Sequence, residues 1–394
     1  MLRAHRERIK KAGAPGLLYA LVILIFAVAF FYHLGSAPAG LNPAELAAKN
    51  NSRSLSAIYH NPLYAPHQLV LLALHKLGLS GHFGLRLSSV LFAAAFTLAF
   101  YKLARHWFGK TVGLFSAVLL FSTPLFAIAG RQASTQIMLM APVAVMAIYI
   151  WLVRSQKKPA LAWFSLLIVA ALSLYVPGMI WWLLAAAIIN RQKLLAAIED
   201  VPPPLAALAL LLFLVLLVPA GLAVASRPDL AKSFAAMPGH WPTALQLAKN
   251  LGWMIGSLFV KTPYHSPLII GRLPILNIIQ IALLVFGFYA MWSVARRKSA
   301  ALILGVVLAV ILATINNNFD WLILGVPALA VFIAAGLRYL YIEWRSVFPR
   351  NPIPKSVALS LMCLLVIVQL IFGLTYSLVA WPHTNATKQS YVLK

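Results

Sequence analysis

The sequence predicts an all-α, polytopic membrane protein, on the basis of its composition and its hydropathy pattern. Of its 394 residues, 62% are apolar and 10% are charged, and the mean hydropathy is +0.88. Soluble domains average about 45–50% apolar and about 25% charged residues. Apolar runs of about 20 residues recur along the chain, and each is long enough to cross a bilayer as a helix. No long polar stretch separates these runs, so we expect one integral membrane domain over residues 1–394.

About eleven transmembrane helices are expected from the apolar runs. The basic N-terminus precedes a run too long for a cleaved signal segment, so we expect an uncleaved first helix. The segment 66–78 is too short to span and contains several polar residues, which predicts a helix on or dipping into the membrane surface. The expected transmembrane helices cover about residues 16–34, 84–104, 111–129, 136–153, 160–174, 176–190, 203–225, 274–294, 299–314, 320–340 and 356–379.

The distribution of basic residues predicts the orientation of these helices. The chain has 32 Lys and Arg against 7 Asp and Glu, and the basic residues form short clusters between apolar runs. Because cytoplasmic loops are enriched in Lys and Arg, we expect a cytoplasmic N-terminus and, with an odd number of helices, an outer C-terminus. Residues 35–83 and 226–273 then form two large outer loops. The protein is predicted to be a multipass protein of the plasma or inner membrane.

The net charge of +25 indicates contact with membrane lipids rather than with nucleic acid. The basic clusters lie where orientation in a membrane requires them, and the same clusters attract anionic lipid head groups. We therefore expect membrane lipids, and no nucleic acid, among the partners.

Three of the few acidic residues are expected on the outer face: Glu45, Asp229 and Asp320. Glu45 stands in the first outer loop and is the leading residue for acid–base chemistry there. The same residue occupies the third helical position after Asn42 and Pro43, which is the spacing of a capping box. The two roles are compatible, because capping would fix the position of the carboxylate.

Short motifs containing Pro, Gly or Arg stand near the boundaries of the predicted helices. They are Asn61-Pro62-Leu63-Tyr64, Lys76-Leu77-Gly78, Leu85-Arg86-Leu87-Ser88-Ser89, Leu103-Ala104-Arg105-His106-Trp107-Phe108-Gly109, Ala129-Gly130-Arg131-Gln132-Ala133, Gly271-Arg272-Leu273-Pro274 and Gly325-Val326-Pro327-Ala328-Leu329. Their order and spacing, over about residues 16–340, resemble the GT-C membrane glycosyltransferases. That class includes the protein O-mannosyltransferases and the lipid A aminoarabinose transferase.

The resemblance implies a membrane glycosyltransferase. Such enzymes take a sugar from a polyprenyl-phosphate carrier and pass it to a glycan, lipid or protein acceptor at the outer membrane face. The resemblance gives Glu45 the role of the acidic residue in the first outer loop, which acts as a base or orients the acceptor. The sequence departs from the pattern at Ala44 and Gln136, where the family often has acidic residues. Either Glu45 acts alone, or the chain is a catalytically inactive scaffold of the same fold.

A lipid or solute transporter is the third reading of the sequence. Transporters often contain internal repeats and polar or broken helices near the middle of the membrane. The sequence has no clear repeat, and its ionisable residues avoid the centres of the predicted helices. These features favour the enzyme and the scaffold over the transporter.

The remaining candidate residues come from the predicted outer boundaries. A leaving phosphate requires positive charge, and Arg offers a planar, bidentate set of donors, although boundary cations often reach only to lipid head groups. The expected donor-phosphate ligands are Arg131, Arg86, Arg272 and Lys261. Substrate contacts are assigned to His60, Gln136, Asp320, Trp253 and Tyr264. Interface anchoring for the aromatic residues and helix capping for Asp320 are the structural alternatives.

The sequence requires no cofactor. Binding of a divalent cation is an open alternative. His60 and His265 are the candidate ligands, because imidazole is a common metal ligand. No short spacing of histidines requires a metal, so interfacial histidines without one are the alternative.

Overall fold

The computed structural model describes residues 2–154, 158–262, 268–347 and 352–391. The described part of the chain is built from helices, which confirms the predicted all-α class. Two 3-10 segments, Thr135–Met140 and Phe319–Gly325, and a π-helical turn, Thr375–Ala380, accompany the α-helices. The α-helices are α1 Leu2–Phe31, α2 Pro43–Asn51, α3 Leu55–His60, α4 Ala65–Lys76, α5 His82–Phe108, α6 Lys110–Phe121, α7 Pro124–Arg131, α8 Ala141–Arg154, α9 Pro159–Leu174, α10 Met179–Ile189, α11 Arg191–Glu199, α12 Pro203–Ser226, α13 Asp229–Phe234, α14 Ala244–Phe259, α15 Ile278–Val294, α16 Arg296–Asn316, α17 Val326–Val347, α18 Pro352–Leu374, α19 Trp381–His383 and α20 Asn385–Ser390.

Each predicted transmembrane segment forms helix. Within the described ranges, six helical stretches are long and apolar enough to cross a membrane, and the bent pair α6–α7 makes a seventh. Shorter apolar helices occupy the other four predicted positions, at Gly16–Phe31, Pro159–Leu174, Met179–Ile189 and Ile278–Val294. The six long stretches are His82–Phe108, Thr135–Arg154, Pro203–Ser226, Arg296–Asn316, Phe319–Trp344 and Ser356–His383.

The third predicted helix, 111–129, is not one continuous helix. It bends by 66° between α6 and α7, at Ser122, Thr123 and Pro124. Proline lacks the backbone N–H that would continue the helix, and its ring crowds the preceding turn. The Ser122 and Thr123 hydroxyls donate to the Leu119 carbonyl at 3.2 and 2.9 Å, which satisfies a carbonyl near the break. The segment expected as one helix over about 111–129 is therefore two helices that meet at Pro124.

Short helices fill both predicted outer loops. The first loop contains α2, α3 and α4, and the second contains α13 and α14. The segment expected on the surface forms α4, which buries Ala65, His67, Gln68, Leu71 and Leu72. The apolar face of α4 therefore packs on the protein, and this loop becomes a folded layer against α5.

Hydrogen bonds between distant loops support the predicted topology. The Tyr64 amide in the first loop donates to the Tyr175 carbonyl in the turn after α9, at 2.8 Å. Asn42, also in the first loop, donates from Nδ2 to the Tyr391 hydroxyl at 2.9 Å. The topology puts all four residues on one face. The contacts agree with that grouping, and which face is cytoplasmic stays a prediction.

Two glycines allow α15 and α17 to cross at close range. A Cβ atom on Gly287 would overlap the Phe332 carbonyl oxygen, and one on Gly336 would overlap the Leu283 carbonyl oxygen. Small residues at such crossings let helix backbones approach one another inside membranes. The crossing holds α17 against α15, and α17 follows directly on the segment that carries Asp320.

Candidate active site

Glu45 is fixed in a buried ion pair with Arg86. Its side chain is 0% exposed, and that of Arg86 is 1% exposed. Oε1 of Glu45 accepts from Arg86 Nε at 3.0 Å and from the Ala133 amide at 2.8 Å. Oε2 accepts from the Asn42 amide at 3.2 Å and from Arg86 Nη2 at 3.4 Å. Both carboxylate oxygens are therefore occupied by protein donors.

The capping-box interpretation of Glu45 is confirmed. The Glu45 amide donates to Asn42 Oδ1 at 2.7 Å, and the Glu45 side chain accepts from the Asn42 amide in return. Pro43 stands at the start of α2, where its missing N–H costs nothing. The general-base role of Glu45 stays a prediction, and it requires Arg86, Asn42 or Ala133 to release the carboxylate.

Arg86 directs all of its N–H donors to the first loop and the residue just before it. An arginine side chain has five N–H groups, and besides the two that bind Glu45, three donate to backbone carbonyls. Nη1 donates to Leu34 and Pro38, both at 3.0 Å, and Nη2 donates to Gly40 at 2.8 Å. In this arrangement Arg86 has no donor left for the phosphate that the sequence assigns to it. Its observed task is to fix the loop between α1 and α2.

The C-terminal segment covers this ion pair. The Tyr391 ring lies 5.6 Å from the Arg86 guanidinium carbon, and it packs edge-to-face on Trp381. Burial, and secondly the charge of Glu45, raise the pKa of Tyr391 above its usual range. No sequence pattern indicates this contact, because 349 residues separate Asn42 from Tyr391.

Arg131 is also engaged by the backbone. Its Nη1 donates to the Ala29 carbonyl at 2.8 Å and its Nη2 to the Tyr32 carbonyl at 2.7 Å. These carbonyls lie at the C-terminal end of α1, where a cation is favoured by the helix dipole. Arg131 is only 3% exposed, so its predicted role as a phosphate ligand would require it to leave α1.

Gln136 and Asp320 are brought together across 184 residues. Gln136 Nε2 donates to Asp320 Oδ2 at 2.6 Å. Gln136 Oε1 accepts from the Ser134 hydroxyl at 2.7 Å, so the amide is held at both ends. Asp320 also has a local backbone bond, because its amide donates to Asn318 Oδ1 at 2.9 Å. Both side chains are half-buried. Helix capping by Asp320, the structural alternative, was wrong, because Asn318 is the N-cap of this segment. The Asp320 carboxylate is therefore left for other contacts.

Lys261 and Arg272 are neighbours in the second loop. Thr262, next to Lys261, donates from its amide to the Arg272 carbonyl at 3.3 Å. Its hydroxyl donates to the Leu273 carbonyl at 3.1 Å. Both cationic residues are exposed. The structure therefore pairs the backbone next to Lys261 with that of Arg272 and leaves both cationic residues exposed, and their role as phosphate ligands stays a prediction.

The other predicted contacts are less enclosed. His60 is exposed, and its Nδ1 bonds to the Ser56 carbonyl at 2.8 Å. Trp253 on α14 is 44% exposed. Tyr264 and His265 lie outside the described residues. Among the residues that the structure does describe, no three His, Cys, Asp or Glu side chains gather as a metal site.

Sequence reasoning missed His67. Its Nε2 lies 2.9 Å from the Ser89 hydroxyl and 3.2 Å from the Ser88 hydroxyl. Ser89 itself donates to the Ser134 carbonyl and Ser88 to the Leu85 carbonyl, so Nε2 of His67 must carry the proton. Nδ1 is buried and has no hydrogen-bond partner within the described ranges. His67 thereby links α4 to α5 beside the segment that holds Gln136.

Lowering the pH is expected to destabilise the protein through His67. Burial lowers the pKa of His67 from 6.5 to about 3. Between these two pH values the imidazole is protonated in the unfolded chain and neutral in the folded chain. Stability contributed by the neutral imidazole is complete above pH 6.5 and is lost as the pH falls towards 3, by up to about 1.4 kcal/mol per pH unit. Thermal unfolding of the wild type and of His67→Gln between pH 4 and 8 measures this. Identical slopes in the two proteins would contradict the assignment.

Comparisons with known proteins agree with this fold. Residues 65–222 match the model of a family described as dolichyl-phosphate-mannose-protein mannosyltransferase. The crystal structure of ArnT from Cupriavidus metallidurans in the apo state superposes with a TM-score of 0.60 at 13% identity, over 97% of this chain and 75% of ArnT. ArnT bound to undecaprenyl phosphate superposes with a TM-score of 0.59 at 13% identity, over 96% of this chain and 75% of ArnT. No curated protein matches the sequence.

The fold is that of the GT-C class of polytopic membrane proteins, as the sequence predicted. The family match adds support for a GT-C-class glycosyltransferase. ArnT, the lipid A aminoarabinose transferase, is similar to this chain over nearly the whole of the chain's length, whereas the family match begins at α4 and ends within α12. Since the identity to ArnT is 13%, the superposition defines the fold, and the substrates have to be argued from the site.

Proposed function

We propose that this protein transfers a sugar from a polyprenyl-phosphate carrier to an acceptor at the outer membrane face. The observation that carries the proposal is the superposition, over 96% of the chain, on ArnT bound to undecaprenyl phosphate. The family match points to the same donor chemistry, since the family is described by a dolichyl-phosphate sugar. The acceptor is a glycan, a lipid or a protein that presents a nucleophilic group at that face.

Lys261 and Arg272 are the proposed ligands of the donor phosphate. Arg86 and Arg131 direct their Nη donors to protein acceptors. Lys261 and Arg272 are exposed, and the amide of Thr262, the residue after Lys261, donates to the Arg272 carbonyl. A phosphate between them would gain charge-assisted hydrogen bonds from both. The leaving phosphate gains negative charge as the sugar departs, and two cations beside it would stabilise that charge.

Neutralising this pair is expected to weaken donor binding. The double variant Lys261→Gln, Arg272→Gln should raise the Kd for undecaprenyl phosphate at least about tenfold, because a hydrogen bond to a charged group contributes about 1.5–3 kcal/mol. Native mass spectrometry or a thermal shift of the detergent-solubilised protein measures that Kd. Lys232→Gln is the matched control, since Lys232 belongs to the same loop and its side chain is 71% exposed. Equal affinities for the double variant and the control would exclude Lys261 and Arg272 as the phosphate site.

The proposed activity itself is tested with labelled donors. The purified wild type, with membrane extract as the source of acceptor, receives undecaprenyl phosphate carrying radiolabelled aminoarabinose or mannose. We expect label to leave one of the donors and undecaprenyl phosphate to accumulate. The shielding of Glu45 favours the inactive scaffold as the second candidate. Binding of undecaprenyl phosphate without transfer from either donor would support that candidate and overturn the proposed function.

A further inference from the structure

Asp320 differs from the other two acidic residues of the predicted outer face. Glu45 is buried and paired with Arg86. Asp229 has a side chain that is 97% exposed and lies 3.7 Å from Lys232. Asp320 is half-buried and, among the residues that the structure describes, has no cation within ion-pair distance. It is the one of the three that combines enclosure with a carboxylate not neutralised by a partner.

One oxygen of Asp320 is held and the other is available. Gln136 Nε2 holds Oδ2 at 2.6 Å, and the Ser134 hydroxyl fixes the opposite end of the same amide. Oδ1 accepts no hydrogen bond from the described part of the chain. A base needs a fixed carboxylate with an oxygen that can reach the proton it removes. The Gln136 contact supplies the fixing without neutralising the charge, because an amide donates a hydrogen bond and stays neutral.

The neighbourhood of Asp320 is built from several separate segments. Tyr64, at the start of α4, has a left-handed backbone with φ of 59°, which is unusual for an aromatic residue and strained. Burial, and secondly the charge of Asp320, raise the pKa of Tyr64, so the phenol lies within electrostatic reach of the carboxylate. Gly178, in the turn before α10, approaches the Trp321 ring, the neighbour of Asp320 in the chain. Backbone strain like that at Tyr64 is commonly retained where the surrounding structure holds a functional site in shape.

We infer that Asp320 is the catalytic base of the transfer and that Gln136 is its positioning residue. The inference rests on the proposed function and assigns the acceptor's proton to a residue other than Glu45. The acceptor hydroxyl oxygen attacks the anomeric carbon of the sugar and forms the new glycosidic bond. The bond between that carbon and the phosphate oxygen breaks, and the phosphate leaves with the electron pair. The hydroxyl proton passes to Oδ1 of Asp320, which becomes a neutral carboxylic acid and later returns the proton to water.

The test compares Asp320→Asn with Asp229→Asn. Both changes replace a carboxylate of the predicted outer face by an amide of nearly the same shape. Proton transfer to a positioned base contributes about 10²–10⁴-fold in rate, so Asp320→Asn should lose at least about 10²-fold in kcat. Its Kd for undecaprenyl phosphate and its melting temperature should match the wild type. Asp229→Asn should transfer at the wild-type rate.

Gln136 and a rescue experiment provide two further readouts. Gln136→Ala should lower kcat while leaving the Kd for undecaprenyl phosphate unchanged, and Gln136→Asn should restore part of the rate. Added formate should restore part of the rate of Asp320→Ala, because a small carboxylate can occupy the space left by the side chain. A purely structural role for Asp320 would show neither formate rescue nor an unchanged melting temperature.

The outcomes separate the inference from the proposed function. Transfer by the wild type together with full-rate transfer by Asp320→Asn overturns the inference and leaves the proposed function standing. Loss of undecaprenyl phosphate binding in Asp320→Asn, in parallel with the loss of rate, also overturns it. A wild type that transfers from neither donor overturns the proposed function, and the inference falls with it.

Discussion

Replacing Glu45 by Ala is expected to lower the free energy of unfolding by about 3–5 kcal/mol, because breaking a buried ion pair leaves an uncompensated buried charge. Arg86 is 1% exposed and would lose the carboxylate that neutralises it. The Ala133 amide would lose its acceptor, and α2 would lose its capping box. Denaturant unfolding of the detergent-solubilised protein, followed by tryptophan fluorescence, measures the change.

A matched control separates this effect from any loss of surface charge. Asp229→Ala removes an acid whose side chain is 97% exposed and whose partner, Lys232, is 71% exposed. Exposed pairs of this kind contribute little to stability, so the melting temperature should stay close to that of the wild type. Equal effects of the two substitutions would contradict the structural role of Glu45.

Two further variants distinguish the structural role of Glu45 from a catalytic one. Glu45→Gln keeps an acceptor for Ala133 and leaves the Arg86 charge unbalanced, so it should also be destabilised. Combining it with Arg86→Met should recover part of the loss, since the double variant buries no unpaired charge. A Glu45→Gln protein that melts like the wild type and fails to transfer sugar would restore the general-base reading.

Substituting Gly336 is the second change with a large expected effect. A Cβ atom on Gly336 would lie 1.9 Å from the Leu283 carbonyl oxygen on α15, so even alanine forces the two helices apart. Overpacking a core typically costs about 1–3 kcal/mol, and we expect Gly336→Ala to reach at least the upper end because the obstacle is backbone. Gly336→Leu should prevent folding. Melting temperature and the yield of monodisperse protein from detergent extracts are the measurements.

Substitutions at Gly287 and Gly221 serve as a second test and as a control for Gly336→Ala. Gly287→Ala should match Gly336→Ala, because its Cβ would overlap the Phe332 carbonyl oxygen on the facing helix. Gly221, within α12, has no atom within 4 Å of an added Cβ. Alanine is preferred over glycine in a helix interior by about 0.5–1 kcal/mol, so Gly221→Ala should leave stability unchanged or raise it. If Gly221→Ala lowered stability as much as Gly336→Ala, the close crossing of α15 and α17 would not be the cause of the destabilisation.

Helices and their order could be predicted from the sequence because each depends on a local pattern. An apolar run of about 20 residues is helical in a membrane whatever its neighbours are, since its backbone must be hydrogen-bonded within the segment. The capping box at Asn42 and Glu45 is equally local, because its two bonds join residues three positions apart. The bend at Pro124 is local as well, because proline interrupts a helix through its own ring and its missing N–H.

The roles of the candidate residues could not be predicted in the same way. The sequence indicated that Glu45, Arg86 and Arg131 lie near one face, and it grouped them as a base with phosphate ligands. In the structure Arg86 neutralises Glu45, and Arg131 binds the end of α1. An unpaired carboxylate and a paired one look identical in a sequence, since the difference depends on which helix faces which.

The membrane class, the series of hydrophobic helices and the scarcity of outer carboxylates follow from the amino-acid sequence. Which carboxylate is enclosed and not neutralised depends on how the helices pack. Glu45 meets its cation 41 residues along the chain, while Asp320 meets the Gln136 amide 184 residues away. Hydrophobic patterning places each helix in the membrane and leaves its rotation and its neighbours undefined. Those are set by packing between helices, and they determine whether a charged group is paired or left available for chemistry.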